Sequence, residues 1–488
     1  MFPLLLGSIV LLLVTVPVVW SLSRRMSAQV GWVAATSLAL STTMIMLSAW
    51  LGDVVELYRW EPIGYFGFRA DGLSIPIAFT VSVLCTVISI YSMPYMVHRI
   101  GKGSTEYGLY FVLYLLYATG MIGSVLATNL IEFYLFFELM LIPSYFLIAR
   151  WGYGDRDRIS FMYFMWTHVG ALGLLAGILT LWSVSGTFDL SVLASISIPE
   201  PYRFWITIMI LVGLLVKMAA FGVHIWLPHA HAEAPTPISA LLSPAMIGIG
   251  GYAVVRILMT ISPESIGGIS FQLSLWALIT MVYGGLMALV QDDIKRLMAY
   301  SSVSQMGYIL LGIASVQVQG VSGSMFHYLS HGMGKGILFM VAGIIIVQAH
   351  GIRSISRLGG LAKRMPVTAT ASLIGFLTIL GVPPTSGFIS EFLIFFGAVQ
   401  SAMEPLALQR LIIAIGGVVS TAITAGYTLW TMKRVFFGSM PAEITRIEEA
   451  PLTMTVPLLV LAVTAIILGI LPDLVIGGIL SQISTMIR

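Results

Sequence analysis

The apolar positions of this chain fall in long unbroken runs rather than in stripes that alternate with polar residues. A helix that crosses a bilayer needs ~20 mostly apolar residues. Runs of that kind predict fourteen spans, at roughly 3–20, 29–51, 73–97, 107–127, 130–149, 160–184, 205–225, 237–261, 270–290, 297–316, 321–348, 367–399, 411–432 and 452–475. The stretches between them are short and leave no room for a soluble domain. The first run, FPLLLGSIVLLLVTVPVVW, has no basic residues ahead of it, so it reads as a permanent span rather than a cleaved signal.

Composition agrees with the pattern. Of 488 residues, 58% are hydrophobic and 9% are charged, and the mean hydropathy is +0.97, whereas soluble domains carry about 25% charged residues. The expected fold class is therefore an all-α polytopic membrane protein, its main partner the lipid bilayer. A net charge of +3, with no basic run interleaved with aromatics, argues against nucleic acid as a partner. The single cysteine, Cys85, excludes an intrachain disulfide, a Cys-based zinc site and an iron–sulfur cluster. No segment looks like a nucleotide-binding fold, a Walker loop or a redox-cofactor site, so no cofactor is expected in this chain.

Lys and Arg in the loops set the orientation of a membrane protein. Sixteen of the 24 fall in the odd-numbered loops, and five, namely Arg59, Arg69, Arg203, Arg410 and Arg488, in the even-numbered loops and tail. This split puts the odd loops in the cytoplasm and both termini outside. The remaining three, Lys217, Arg256 and Lys335, lie within spans.

The polar residues inside the spans carry the candidate chemistry. The stretch GLLVKMAAFGVHIWLPHAHAEAPTPISALLSP (213–244) holds Lys217 where hydrocarbon is expected, then His224, His229, His231 and Glu233, with Pro235 and Pro237 breaking the helix. A buried ammonium costs ~2.5–3.5 kcal/mol on insertion scales and is kept only with a partner or a wet cavity. A matching arrangement follows later: Lys335 in span eleven, then GVPPTSGF (381–388) interrupting span twelve. Paired interruptions of this kind mark inverted-repeat transporters, with ion sites beside the broken helices.

Glu138 and Glu391 supply one buried acid to each half, so the expectation is two acid–base pairs, Glu138 with Lys217 and Lys335 with Glu391, whose titrations are coupled. His327, His331 and Lys335 fall at i, i+4 and i+8, a polar stripe on one helix. His224, two turns beyond Lys217, is expected on the same face as that lysine. Together with His231 these histidines read as a proton relay; structural salt bridges and interhelical hydrogen bonds are the plainer alternative. A metal site is a rival reading for His229, His231 and Glu233, but alternate residues diverge on a helix and no further ligand is evident. Ser301, Ser302, Ser304 and Gln305 give span ten a wet face. Glu132, near the membrane edge, is either an intake point or simply solvated, and Asp292, Asp293, Lys295 and Arg296 read as surface charges.

Four segments carry a family resemblance: LATNLIEFYLFFELMLIPSYFLI (126–148), LLVKMAAFGVHIWLPHAHAEAPTPISALLS (214–243), DDIKRLMAYSSVSQMGY (292–308) and GVPPTSGFISEFLIFFG (381–397). In these the chain resembles the antiporter-like subunits of respiratory complex I, of the chain M or chain 4 type, across all fourteen spans. Related subunits occur in archaeal reduced-deazaflavin (F-420) dehydrogenases, membrane-bound hydrogenases and multisubunit sodium/proton antiporters.

The resemblance implies two inverted five-helix repeats with broken helices seven and twelve. The corresponding domains are 1–106 (N-terminal helices), 107–261 (first repeat), 262–437 (second repeat) and 438–488 (C-terminal helix). It implies proton translocation through Glu138, Lys217, Lys335 and Glu391, with His331 near the place of a family histidine. Partners would be sister antiporter-like subunits and a quinone-site module, with flavin and iron–sulfur clusters in other subunits of a prokaryotic, archaeal-type cell-membrane complex. A sodium/proton antiporter subunit is the rival function. One departure stands out: where the family carries a bridging lysine in span eight, this chain has Gly248.

Overall fold

The computed structural model describes residues 3–26, 29–61, 63–101, 105–403, 406–444 and 447–487. Lys102, Arg446 and Arg488, three of the loop and tail cations in the orientation argument, lie outside the described residues. Thirteen described helices are long and apolar enough to cross a membrane. Span seven, in pieces of 17 and 8 residues, Tyr202–Met218 and Trp226–Glu233, makes the fourteenth.

Contacts between loops follow the alternation expected of successive crossings. Odd loops meet odd loops: Arg99 donates to the carbonyl of Trp151 (2.8 Å), the Tyr153 N–H to Glu233 (2.7 Å), and Arg357 pairs with Glu443 (2.7 Å). On the opposite face, Asn129 bridges to Asp189, and Arg203 lies 3.9 Å from Glu264. A miscounted span would have brought an odd loop against an even one.

The even face carries two elements absent from the hydropathy pattern. Strands β1 (Val54–Trp60) and β2 (Gly64–Ala70) form an antiparallel hairpin. The Glu56 carboxylate of β1 accepts from the Leu5 and Leu6 N–H groups, both at 2.9 Å. It thereby caps the first turn of span one (Leu4–Ser23), where free donors and the positive end of the helix dipole favour an anion. The second element is a helix at Asp473–Ile487 that buries Ile476, Ile479 and Ile483, one side of its surface, and packs so closely that Gly72 has no room for a side chain against Gly478.

Span seven departs from the expected break. Its helix ends at Met218, and Ala219 turns left-handed (φ 56°). The interruption therefore precedes Pro235 and Pro237, which instead open span eight (Thr236–Ile261). Span twelve breaks where the sequence indicated: Pro366–Leu380 ends, Gly381 is left-handed (φ 69°), and Ser386–Gln400 resumes.

Hydrocarbon cannot satisfy the backbone groups that such breaks release, and side chains and local turns take them. At the first break Phe221 N–H donates to Thr280 Oγ1 (3.2 Å), Trp276 Nε1 to the Phe221 carbonyl (2.8 Å) and Trp226 Nε1 to the Val216 carbonyl (3.0 Å). At the second, the Thr385 hydroxyl reaches Leu377 and Val382 carbonyls, and Gln305 Nε2 reaches the Ile379 carbonyl (3.4 Å).

Span eight is buried from Thr236 to Met259 and irregular, with π-helical turns at Leu242–Met246 and Val254–Leu258 on either side of Gly248–Ala253. A Cβ on Gly248 would lie 2.2 Å from the ring of Tyr328 in span eleven (Val318–Gln348). That ring, anchored by its hydroxyl to the Ala245 carbonyl (2.6 Å), fills the space a lysine would need.

Arg256, near the end of span eight, makes a bidentate bond to Asp71, at 2.6 and 2.8 Å, in the turn before span three (Ser74–Ile100). Burial would raise the Asp71 carboxyl, but the guanidinium and the bonds from Ser74 outweigh it and hold it at about 2. A depressed carboxyl contributes stability above its unfolded value, near 4, and loses it as pH falls through the folded one. Asp71→Asn strands the buried guanidinium, and the expected loss is about 3–5 kcal/mol. Thermal unfolding of the purified protein at neutral pH checks it: a melting temperature equal to wild type would show that the pair is not holding these segments together.

Candidate functional site

The first cluster lies among spans five (Leu130–Trp151), six (Arg156–Ser185) and seven. Lys217 is 1% exposed, at the last turn before the break, and its ammonium has no hydrogen-bond partner. It stands over the Phe137 ring, 4.7 Å from the centroid, and within the field of Glu138. Glu138 does not form the expected ion pair with it. Its Oε2 instead faces Nδ1 of His168 at 3.3 Å, while Oε1 has no partner. His168 was missed from the sequence, although a histidine inside MWTHVGALG carries the same signal as Lys217.

The second cluster joins spans ten (Ile294–Ala314), eleven and twelve. His327, His331 and Lys335 do lie buried along span eleven, with the His327 and His331 ring centroids 6.4 Å apart. Lys335 turns to span ten, donating to Ser301 Oγ and to the Met298 carbonyl (3.1 Å). It does not pair with Glu391, which correction again replaces an ion pair by a charge held near neutral dipoles. Glu391 lies against Gly381, where a Cβ would be 2.6 Å from Oε2, and its Oε1 is unpartnered.

His327 connects the lysine side of this cluster to the acid side. Its Nε2 faces Gln305 Oε1 and its Nδ1 faces Ser390 Oγ, both at 2.9 Å. The Ser390 hydroxyl also donates to the Gly387 carbonyl (2.8 Å). Both ring N–H groups of an imidazolium therefore have acceptors in place, so the ring can hold a proton without rearrangement. His331 presents both nitrogens without a protein partner.

Between the clusters stands His231, also buried with both nitrogens unpartnered, its ring stacked on Phe339 at 4.6 Å. The ammonium groups of Lys295 and Lys335 both act on it electrostatically, as does His231 on His331. A serine contact, Ser243 to Ser302 at 2.7 Å, ties span eight to the wet face of span ten at this level.

Three sequence expectations, for His224, Glu132 and Lys295, are corrected here, while the expected divergence of His229 and His231 holds. His224 does not share a face with Lys217, because the helix ends between them: its Nδ1 accepts from Gly222 N–H (3.2 Å) and its ring sits 4.9 Å from that of Tyr283. His229 is exposed whereas His231 is buried, so these two point apart. Glu132 is neither solvated nor at an opening: it is fully buried, and its Oε2 accepts from Gly67 N–H (3.2 Å) and Thr128 N–H (3.3 Å), fastening the hairpin to span five. Lys295 is no surface charge but is 0% exposed, with its ammonium on the carbonyls of Ala232 and Ala234. Among the described residues no group of three or more His, Cys, Asp or Glu could hold a metal ion.

Fold and site together define a class: polytopic helical membrane proteins with two broken helices and with lysines, histidines and carboxylates placed inside the bundle near them. The chain belongs to the family described as "NADH:quinone oxidoreductase/Mrp antiporter, TM", which matches residues 127–424. A second family, "NADH-Ubiquinone oxidoreductase (complex I), chain 5 N-terminus", matches residues 60–106. The chain is 32% identical to the F(420)H(2) dehydrogenase subunit M of Methanosarcina mazei over 484 residues, covering 95% of this chain and 94% of that one. It is 32% identical to the NADH-quinone oxidoreductase subunit M of Rhodobacter capsulatus over 466 residues, covering 91% and 88%. Among solved structures it is similar to a chain of respiratory complex I from Thermus thermophilus with bound NADH, with TM-score 0.87, 25% identity and coverage of 98% and 99%. It also shares its fold with a chain of the Mrp complex from Dietzia sp. DQ12-45-1b, with TM-score 0.86, 24% identity and coverage of 99% and 97%.

The two breaks differ in what their left-handed residue tolerates. Gly381→Ala would add a backbone cost of about 1–2 kcal/mol and drive a methyl group into the Glu391 carboxylate, whereas Ala219→Gly removes a side chain from a conformation that glycine adopts freely. The expected outcome is a lowered thermal-inactivation midpoint for Gly381→Ala and a smaller change for Ala219→Gly. Equal shifts would mean that the Gly381 turn is not constrained.

Proposed function

We propose that this chain is a proton-translocating membrane subunit of a redox-driven respiratory complex, an NADH- or reduced-deazaflavin-dependent oxidoreductase acting on a quinone or phenazine. The observation that carries this reading is Lys217: a buried ammonium at a helix break, with no ion pair, in the field of a carboxylate that is itself shared with a histidine. Such a group is expensive in hydrocarbon, and the face of the Phe137 ring, its one close contact, supplies neither a hydrogen bond nor a counter-charge.

The geometry suggests how a proton moves. While His168 is neutral, the Glu138 carboxylate acts on Lys217 alone and stabilises its ammonium form. When His168 takes a proton, that cation neutralises Glu138, and the ammonium loses its counter-field. Charges ~4 Å apart interact by about 4 kcal/mol at an effective dielectric of ~20, enough to move a proton onward. His231, His331, Lys335, His327 and Glu391 then form the path through the second half. Ser301, Ser302 and Gln305 supply its polar wall, and Glu391 is the release group. With Gly248 against Tyr328, no cation bridges the halves in span eight, so the transfer runs along spans ten and eleven.

We read residues 107–261 and 262–437 as two units of this path, supported by the left-handed break in each. The redox chemistry belongs to partner subunits carrying flavin and iron–sulfur clusters, and the membrane partners are sister antiporter-like subunits and a quinone-site module. The loop charges support odd loops in the cytoplasm of a prokaryotic cell and termini outside. A second reading, a subunit of a sodium/proton antiporter, is supported by the shared fold with the Mrp complex chain.

The test is donor-driven proton uptake by proteoliposomes holding the purified complex, at varied sodium. Lys217→Ala and Glu138→Gln are expected to lower translocation by about tenfold or more, ~1.4 kcal/mol in the barrier per tenfold, while assembly survives. Unchanged pumping in both variants would end the assignment. A gradient that requires sodium, or persists without an electron donor, would establish the antiporter instead.

A further inference from the structure

On the basic, odd-loop face, a cavity of about 310 Å³ opens between the ends of spans three, five and eleven. Exposed His98 and His350 line it, together with Arg99, Tyr95 and Tyr153. The floor of this cavity is a chain of hydroxyl groups. Tyr153 Oη is hydrogen-bonded to Tyr95 Oη, which lies 3.1 Å from Thr236 Oγ1 and accepts from the Thr236 N–H at 3.2 Å. Tyr153 is half-buried, Tyr95 is 1% exposed and Thr236 is fully buried, so the chain runs from the cavity into the protein. Thr236 opens span eight and lies against Gly343 of span eleven, one turn from Phe339, on which the His231 ring stacks; both His231 nitrogens are unpartnered, so a water has to bridge the last gap.

Two cations hold the outer tyrosine. The Arg99 guanidinium lies 3.8 Å from the centre of the Tyr153 ring, fixed by bonds to the Trp151 and Gly152 carbonyls (2.8 and 2.6 Å). The Lys295 ammonium lies 5.4 Å from the same ring. Each contact is of the cation–π kind. Tyr95 in turn stacks on Tyr91, ring centroids 6.1 Å apart. A hydroxyl whose ring is held this firmly keeps its oxygen in hydrogen-bonding range of the next one.

We propose that Tyr153, Tyr95 and Thr236 form the intake port through which protons pass from the odd-loop face towards His231, with Arg99 and Lys295 as positioning residues for Tyr153. This rests on the proton-translocating reading above and names where the proton comes from. A proton arriving at the cavity adds to Tyr153 Oη, which releases the proton it held to Tyr95 Oη; Tyr95 passes its own to Thr236 Oγ1, Thr236 passes its own to a bridging water, and that water releases one of its protons to a His231 nitrogen. No bond other than O–H and N–H is made or broken, and each hydroxyl ends with one proton.

The test uses the purified complex in proteoliposomes with the electron donor supplied, comparing Tyr95→Phe and Tyr153→Phe with wild type and with Lys217→Ala. Both Phe variants keep the rings and remove only the oxygen. Expected is a fall of about tenfold in proton-translocation rate and a changed rate ratio between H2O and D2O, which loss of a purely structural contact would not produce. Wild-type pumping in both Phe variants alongside a dead Lys217→Ala overturns the port and leaves the function standing; normal pumping in Lys217→Ala overturns the function itself. Should the Phe variants fail to assemble, His98→Cys answers the question. The native Cys85 is buried, so a bulky methanethiosulfonate reagent added to the odd-loop side should plug the cavity and stop pumping relative to the unlabelled variant. Undiminished pumping after complete labelling would overturn the port.

Discussion

Interrupting a helix inside hydrocarbon is the constraint on which the rest of this structure depends. The interruption frees carbonyl and amide groups that only protein can satisfy, so each break has to be surrounded. That requirement explains why Trp226, Trp276 and Thr280 converge on the first break and why Thr385 and Gln305 serve the second. It also explains why the charged groups gather nearby. A position already lined with dipoles is the least costly place in the bundle for an ammonium or a carboxylate, and Lys217 and Glu391 occupy those positions.

The buried charges share a second property: they avoid direct ion pairs. Lys335 is held by a hydroxyl and a carbonyl, Lys295 by two carbonyls, Lys217 by a ring face and a distant carboxylate. A close pair in a low dielectric is deep and slow to leave, whereas dipoles hold a charge without fixing which protonation state is occupied. Asp71 and Arg256 show the contrast within the same chain. There the bond is bidentate, both partners are buried, and the result is a fastening between segments rather than a place for a mobile proton.

Much of this was legible in the sequence. Fourteen apolar runs marked the spans, and the GVPPTSGF stretch (381–388) marked the second break, where Gly381 makes a left-handed turn that favours glycine. The first break falls on Ala219, which carries no such signal, and the conspicuous Pro235 and Pro237 drew attention to the wrong residues. Lys217, Lys335 and Glu391 stood out because a charge in an apolar run has few explanations. Lys295 did not, since DDIKR reads as a solvated cluster until tertiary packing closes Ala232 and Ala234 over it. Tyr95 and Tyr153 were invisible for a related reason: a tyrosine in an apolar run or between loop glycines carries no signal of its own, and only neighbours 58 and 141 residues apart in sequence turn its hydroxyl into part of a chain. The ion pairs were wrongly expected because composition reveals which charges are buried but not which dipoles reach them first.

The contact between Gly248 and Tyr328 has a consequence for which replacements the core accepts. Placing a lysine at residue 248 alone would force its side chain into the Tyr328 ring, and shrinking Tyr328 alone would open a void beside span eight. Each single step is penalised and only the double replacement is compatible with a filled core. Gly248 and Tyr328 are therefore one packing unit, and neither can be exchanged without the other.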